Sequence, residues 1–352
     1  MTRLYLDHAA TTPMTARALA ATADGFTRWA NPSSPHAEGR AARAALEGAR
    51  REIAAAYGWT GEVILTSGAS ESLVITLTRA AVSCRLVSAV EHDAVFRAWP
   101  EAEVLPVGDD GVLVFDPMPP ARFEERALVC AQWANSETGV RQSIAAIARA
   151  VHAAGHLLLV DAAQMPAHAD AAIAHADFVA LSAHKRGGPP GIGALLVRDL
   201  GLLSPTGGQE RGYRPGTENL PGALGYAAAL AEPEPIARWA AMRARLDDAV
   251  TRSGGEVVGA AAARHRAIGS YRLPGVAAAA QVIRFDMAGI AVSAGSACSS
   301  GSMKPSHVLA AMGWSDEASR EVIRISFGRD TSEADIDRAI AAWRDVARGR
   351  RL

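Results

Sequence analysis

An aspartate and a lysine each follow an apolar segment in the middle of the chain. Asp161 comes directly after residues 157–160, and Lys185 follows residues 178–181. A desolvated lysine beside other cations can lose its proton, whereas an arginine in a protein cannot. Of the 36 basic residues, only Lys185 and Lys304 are lysines. This composition indicates that position 185 needs an amine, although two surviving lysines could also arise by chance.

Small and hydroxyl residues at 67–71 form a third candidate, between a predicted strand and a predicted helix. Backbone N–H groups at a helix start, together with the helix dipole, favour a phosphate. An ordinary N-cap by Ser67 or Ser70 is the alternative interpretation. Asp161 could ligate a metal, form an ion pair or hold a protonated ring nitrogen, but no cluster at ligand spacing supports a metal. With Lys185, these residues outline a pyridoxal 5'-phosphate site.

A sheet is needed to bring these residues together. Six apolar segments are predicted to be buried strands: 62–66, 85–90, 127–131, 157–160, 178–181 and 193–197. Helices are predicted after residues 67–70, to about 81, and over 144–154, with Gly155 at the C-terminal end of the second. Strands that are apolar on both faces and alternate with helices predict an α/β fold with a mostly parallel sheet between helices. Such sheets bind ligands at the carboxyl ends of their strands.

The pattern changes near residue 230, close to the Glu-Pro-Glu-Pro run at 232–235. A helix, short strands and a last helix follow, which predicts a smaller α+β domain. We therefore predict a large cofactor-binding domain over 12–229 and a small domain over 230–352 together with 1–11. Residues 117–122 and 206–221 are rich in loop-forming residues and are predicted to be connections.

Composition excludes several classes of protein. The 352 residues are 49% hydrophobic with a formal net charge of -1, so we expect neither disorder nor a surface for nucleic acid or anionic membrane. No apolar run reaches the roughly 18–20 residues that span a bilayer, and the start has no apolar leader. The three cysteines have no paired spacing, which argues against disulfides and zinc. The expectation is a soluble cytoplasmic protein.

Several longer motifs, taken in order, resemble the cysteine desulfurases, which are class V enzymes of the aminotransferase-like pyridoxal phosphate fold (fold type I). The motifs span almost the whole chain: 5–13, 31–34, 66–72, 91–92, 135–139, 182–191, 207–219, 295–301 and 323–329. The resemblance implies conversion of L-cysteine to L-alanine with pyridoxal 5'-phosphate as cofactor.

The resemblance also implies a role for each matching cofactor residue. Lys185 would bind the cofactor covalently and then move protons at the substrate α-carbon. Asp161 would keep the ring nitrogen protonated, Gln164 would bond the ring hydroxyl, and His92 would stack on the ring. The phosphate would be held by Ala69, Ser70, Ser182, His184 and the partner subunit's Thr217, which implies a homodimer.

For the substrate, the resemblance places a bidentate contact from Arg324 on the α-carboxylate, helped by Asn31 and Asn135. Cys298 would receive the sulfur as a persulfide and pass it to an acceptor protein, such as an iron–sulfur scaffold or a sulfur carrier. Residues 293–302 are almost all Ser, Gly and Ala, a composition suited to carrying a thiol between substrate and acceptor.

Four positions depart from the family pattern: Ser70, Ser136, Gln209 and Lys304. Ser136 replaces a common second Asn, and Lys304 reverses a charge beside the thiol segment. Two alternatives remain open. A selenocysteine lyase, or another class V lyase or transaminase, would need Lys185 but not Cys298. A non-catalytic relative would lack the lysine or the phosphate cup, and neither is missing here.

Overall fold

The computed structural model describes residues 3–115, 126–295 and 305–349. Its strands are β1 (Leu4–Tyr5), β2 (Glu62–Thr66), β3 (Cys84–Ser88), β4 (Glu103–Leu105), β5 (Ala127–Gln132), β6 (Leu157–Asp161), β7 (Phe178–Ser182), β8 (Gly193–Val197), β9 (Glu256–Val257), β10 (Ile268–Arg272), β11 (Ile290–Ala291), β12 (Ser293–Ala294) and β13 (Val322–Ser326). Its helices are α1 (Ala16–Thr27), α2 (Ala37–Ala56), α3 (Ala69–Arg79), α4 (Asp93–Ala98), α5 (Ile144–Ala153), α6 (Leu220–Leu230), α7 (Ile236–Arg252), α8 (Ala278–Met287), α9 (His307–Ala311), α10 (Asp316–Ser319) and α11 (Glu333–Arg348).

Seven of these strands form the main sheet, in the order β2-β8-β7-β6-β5-β3-β4. Strand β8 runs antiparallel to both of its neighbours, and the other pairs are parallel. Alternate residues enter different cores: Val129 packs in one cluster and Leu128 in the other. The predicted mostly parallel sheet, buried on both faces, is therefore confirmed.

The predicted strands agree closely with the observed ones, and 62–66 and 193–197 agree at both ends. Strands β5, β6 and β7 each continue one residue further than predicted, to end on Gln132, Asp161 and Ser182. The helix predicted over 144–154 ends at Ala153. The predicted connection at 117–122 lies outside the described residues.

A second group of strands lies near the end of the chain, with its own core. Strands β12, β13, β10 and β9 form an antiparallel sheet, and β1 pairs with β11. Leu4 and Leu6, near the start of the chain, belong to this core, in which Leu6 packs with Phe285 and Trp343. The domain boundary near residue 230 stays a prediction. None of the described helices has both the length and the apolar character required to cross a bilayer.

Strand β8 begins in close contact with the residues that precede α3. A Cβ atom on Gly193 would lie 2.4 Å from the Leu181 carbonyl oxygen and 2.6 Å from the Gly68 Cα. Both neighbours are backbone atoms, so no change of rotamer could relieve the overlap. Glycine at 193 therefore allows the start of α3 to lie against the sheet.

We expect Gly193→Ala to lower the free energy of unfolding by about 1–3 kcal/mol, the usual cost of overpacking. Urea denaturation followed by circular dichroism measures this change. Gly48→Ala is the matched control, since Gly48 is within α2 and its nearest neighbour, the Arg51 Nη2, is 4.0 Å from the added Cβ. The control should gain about 0.5–1 kcal/mol. Equal stability of Gly193→Ala and wild type would contradict the close approach.

Candidate active site

A cavity of about 600 Å³ lies at the edge of the main sheet where β2, β6 and β7 end. Its walls contain nine of the residues predicted from sequence: Ala69, Ser70, His92, Asp161, Gln164, Ser182, His184, Lys185 and Arg324. Strand register explains why they meet. Gln132 pairs with Asp161 at the ends of β5 and β6, and Thr66 and Ser182 both pair with Gly193.

The start of α3 provides open hydrogen-bond donors. Its N-cap is Gly68, which has no side chain to bond the first N–H groups. The N-cap considered for Ser67 or Ser70 is therefore not formed. The Thr66 hydroxyl lies 2.9 Å from the Ser72 hydroxyl and donates to the Gly68 carbonyl, which fixes the turn. Backbone N–H groups at the cavity wall and the positive end of the helix dipole suit a phosphate.

Asp161 is a buried carboxyl close to His92 and Lys185. Asp161 is 7% exposed, and its Oδ1 accepts a hydrogen bond from the Ala163 N–H at 3.0 Å. Burial raises the pKa of Asp161, although that hydrogen bond and the nearby His92 and Lys185 act in the opposite direction. A cationic N–H facing this carboxyl would stabilise its ionised form.

His92 precedes α4 and caps it, since its Nδ1 accepts from the Ala94 N–H at 3.1 Å. Burial lowers the pKa of His92, an effect that Asp161 opposes. The ring is therefore neutral near pH 7 and forms a flat part of the cavity wall. This geometry is suited to contact with an aromatic ligand.

Lys185 and Gln164 share one backbone acceptor. The Lys185 Nζ donates to the Ala9 carbonyl oxygen at 2.7 Å, and the Gln164 Nε2 donates to the same oxygen at 2.9 Å. The Gln164 Oε1 is buried and has no hydrogen-bond partner in the described chain. An amide oxygen without a partner in a cavity wall is available to a ligand hydroxyl.

His184 follows β7 and contacts the N-terminal segment, with its Nδ1 3.1 Å from the Thr11 hydroxyl oxygen. The backbone is tied as well, because the Thr12 N–H donates to the His184 carbonyl at 2.8 Å. Burial, with added repulsion from Lys185 and Arg186, lowers the pKa of His184 to about 4. A neutral His184 can donate to or accept from a ligand in this wall.

Arg324 on β13 reaches the cavity with a side chain that is 3% exposed. Its Nη2 donates to the Asp7 carboxylate at 2.7 Å, and its Nη1 donates to the Ser136 carbonyl at 3.0 Å. Its Nε is buried without a partner among the described residues. The two contacts orient the guanidinium and leave a donor for a carboxylate ligand. Sequence reasoning missed Asp7, although it lies within the motif at 5–13.

Three of the predicted site residues that the structure describes do not line this cavity. Asn31 and Thr217 are exposed, and Asn135 lines a neighbouring cavity of about 540 Å³. The Asn135 amide donates to the Val90 carbonyl, and its oxygen accepts from two backbone N–H groups, so it shapes a turn. Cys298 lies outside the described residues, as does Lys304.

Sequence analysis also missed Glu91, a fully buried carboxyl beside the cavity. Its Oε1 accepts from the Gln132 N–H at 2.8 Å. Burial, together with repulsion from Asp161, raises the pKa of Glu91 well above its usual value. No group of three potential metal ligands occurs in the part of the chain that is described. The cavity can thus hold a phosphorylated aromatic ring with a protonated nitrogen, beside an amine and a carboxylate-binding arginine.

A family model, curated relatives and solved structures all match this chain over most of its length. The family model for class V aminotransferases matches residues 4–339. A cysteine desulfurase of Gluconacetobacter diazotrophicus is 38% identical, with 97% of this chain and 92% of the relative aligned. A cysteine desulfurase IscS of Anaeromyxobacter sp. is 36% identical, over 96% of this chain and 90% of the relative. A NifS-like protein from Rickettsia africae has a TM-score of 0.86 at 27% identity, and the match covers 98% and 99% of the two chains.

The lowered pKa of His184, about 4, predicts a pH-dependent stability of the cofactor-free protein. Between about pH 6.5 and 4 the unfolded chain binds a proton at this ring that the folded chain does not, so stability falls as the pH falls. His184→Gln should make this slope shallower by up to one proton, as measured by urea denaturation at several pH values. Parallel stability curves for variant and wild type would contradict the shift.

Proposed function

Since the chain belongs to the class V aminotransferase family, and within it to the cysteine desulfurases, we propose that it converts L-cysteine to L-alanine and holds the released sulfur as a persulfide on Cys298. The main support for the proposal is that one cavity is lined by Asp161, Lys185, the start of α3 and Arg324. This set matches a phosphorylated pyridine cofactor and an amino acid substrate.

The residues of the cavity fit pyridoxal 5'-phosphate. The start of α3 has N–H donors for the phosphate, and Ser182 and His184 add polar groups beside it. The raised pKa of Asp161, caused by burial, would fall when a pyridinium N–H donates to its carboxylate. The unpartnered Gln164 oxygen has the polarity to accept from the ring hydroxyl. When bound, the cofactor supplies an electron sink for negative charge at the substrate α-carbon.

The remaining chemistry falls to the side chains. Arg324 binds the substrate α-carboxylate while Asp7 and Ser136 hold its guanidinium plane. Lys185, placed by its hydrogen bond to the Ala9 carbonyl, moves a proton to or from the α-carbon. The neutral ring of His92 would stack against the cofactor.

The sulfur step balances without an added oxidant. The bond between the substrate β-carbon and its sulfur breaks, a sulfur–sulfur bond forms to the Cys298 Sγ, and the thiol proton replaces sulfur on the carbon skeleton. The products are L-alanine and a protein persulfide. We propose that an iron–sulfur scaffold or a sulfur carrier then accepts the sulfur, in the cytoplasm.

Two features support a homodimer. Thr217 is exposed and lies outside this chain's own cavity, as a residue that contacts the partner subunit's cofactor would. Three large apolar side chains are also exposed near α1: Leu19 is 59%, Phe26 73% and Trp29 79% exposed. Leu19 and Phe26 are seven residues apart, on one face of α1, and Trp29 follows shortly after the helix. Such a patch is typical of a protein interface.

The function is tested with purified protein, L-cysteine and a thiol reductant. We expect wild type to release sulfide and L-alanine, Cys298→Ser to lose sulfide release by at least about 100-fold, and Lys185→Ala to lose both products. Cys84→Ser is the matched control, since Cys84 lies on β3 away from the cavity, and it should keep wild-type activity.

Two results would redirect the proposal. Equal activity of Cys298→Ser and wild type would favour the alternative of a lyase, including a selenocysteine lyase, that depends on Lys185 alone. No activity of a cofactor-loaded wild type towards cysteine would refute the desulfurase proposal.

The dimer is tested by light scattering. We expect a mass twice the 36.7 kDa of one chain, and a shift towards the monomer when Phe26→Asp and Trp29→Asp are combined. The double variant should also bind the cofactor more weakly, because the partner subunit's Thr217 would be lost. Ile283→Asp, at an exposed apolar residue on α8, is the control and should remain dimeric. A monomeric wild type would contradict the proposal.

A further inference from the structure

Residues 206–217, here called the anchor loop, hold an unusual backbone conformation. Glu210 and Arg211 have φ values of 50° and 56°, and they are consecutive non-glycine residues in the left-handed region. That region is unfavourable for residues with a Cβ atom and persists only where the surroundings enforce it. The anchor loop therefore depends on contacts with neighbouring elements.

The strongest of these contacts is made by Glu210, whose side chain is 1% exposed. Arg50 on α2 binds both carboxylate oxygens, with distances of 2.5 Å from Nη1 to Oε2 and 2.6 Å from Nη2 to Oε1. The Leu65 N–H on β2 donates to the same Oε2 at 2.9 Å, and Arg50 donates to the Val63 carbonyl at 2.8 Å. One carboxylate thus ties the anchor loop to α2 and to the strand that leads into the phosphate cup.

Further contacts fix the loop to α3, which begins at that cup. The Arg214 Nε donates to the Glu71 carboxylate at 3.3 Å, and Glu71 lies in the first turn of α3 and in the cavity wall. At the other end of α3, Arg79 donates to the Thr206 hydroxyl and the Tyr213 carbonyl, each at 3.0 Å. The loop therefore has a defined position relative to the phosphate cup.

A gain in stability does not by itself explain the buried ion pair between Arg50 and Glu210. Desolvation of two charges largely cancels their attraction, so a buried ion pair contributes little net stability compared with apolar side chains. Bidentate geometry does, however, define position and orientation closely. The anchor loop ends at Thr217, which is exposed and accessible to a second copy of the chain.

We propose that Glu210 is a positioning residue for cofactor binding: held by Arg50 and the Leu65 N–H, it sets the anchor loop so that Thr217 reaches the cofactor phosphate of the neighbouring subunit. The proposal rests on the proposed function and on the homodimer. It assigns Glu210 no contact with the cofactor itself.

The test compares binding of pyridoxal 5'-phosphate and of pyridoxal, which lacks the phosphate, to dimers stripped of cofactor. Glu210→Gln and Thr217→Val should each weaken pyridoxal 5'-phosphate binding about tenfold, the loss of one charge-assisted hydrogen bond. Pyridoxal binding should stay unchanged. The double variant should be no weaker than either single variant, because both substitutions remove the same contact.

One further variant tests the bidentate contact, and another is a control for general effects of breaking an ion pair. Arg50→Lys keeps the charge but not the bidentate contact, and it should weaken pyridoxal 5'-phosphate binding in the same direction. Glu321→Gln breaks an ion pair with Arg272 in the second sheet, where the Nε–Oε2 distance is 2.8 Å. This control should bind both ligands as wild type does.

Three outcomes overturn the proposal. The first is wild-type phosphate selectivity in Glu210→Gln while Thr217→Val is impaired, which leaves the proposed function intact. The second is equal weakening for both ligands, or loss of the dimer, in Glu210→Gln, which indicates a structural role only. The third is wild-type binding by Thr217→Val, which removes the phosphate contact itself. Desulfurase activity of wild type is measured in parallel, so its failure is distinguished from all three.

Discussion

A carboxyl at the end of a buried strand is the constraint around which the site is built. Strand β6 places Asp161 there, where burial raises the pKa of its carboxyl. Glu91 lies nearby with its own pKa raised well above normal by burial and by Asp161. Because neighbouring carboxyls resist ionising together, Asp161 adds to the raised pKa of Glu91, and a cationic ring nitrogen facing Asp161 would favour the ionised form of Asp161.

The N-terminal segment completes the cavity and links it to the second core. The Ala9 carbonyl holds Lys185 and Gln164, Asp7 holds Arg324, and the Thr12 N–H bonds the His184 carbonyl. A few residues earlier, Leu6 packs in the core formed by the second sheet. The positions of the Lys185 amine, the Gln164 amide and the Arg324 guanidinium therefore depend on the N-terminal segment. That segment contacts both the cavity and the core of the second sheet.

Arginines and the cavity lysine have different roles in this structure. Arginines form the buried ion pairs that fix elements in place, such as Arg50 with Glu210 and Arg186 with Glu234. Loss of one partner from such a pair typically costs about 3–5 kcal/mol, because a buried charge is left without compensation. The cavity amine is a lysine, a residue that can give up and regain a proton, whereas an arginine in a protein cannot.

The sequence by itself determined six of the seven strands of the main sheet, because strands buried on both faces appear as continuous apolar runs. It did not predict β4, a short strand at the edge of the sheet with two exposed residues. It also identified the residues directly after those runs, such as Asp161 and Lys185, since parallel strands end at one edge. Only the tertiary structure decided the contacts of Ala9 and Asp7, which join residues 176 and 317 positions apart. Such pairs leave no local pattern in the sequence. Every residue has a backbone carbonyl, so residue type does not reveal which one accepts a hydrogen bond, and an ion pair between distant residues follows no regular sequence spacing.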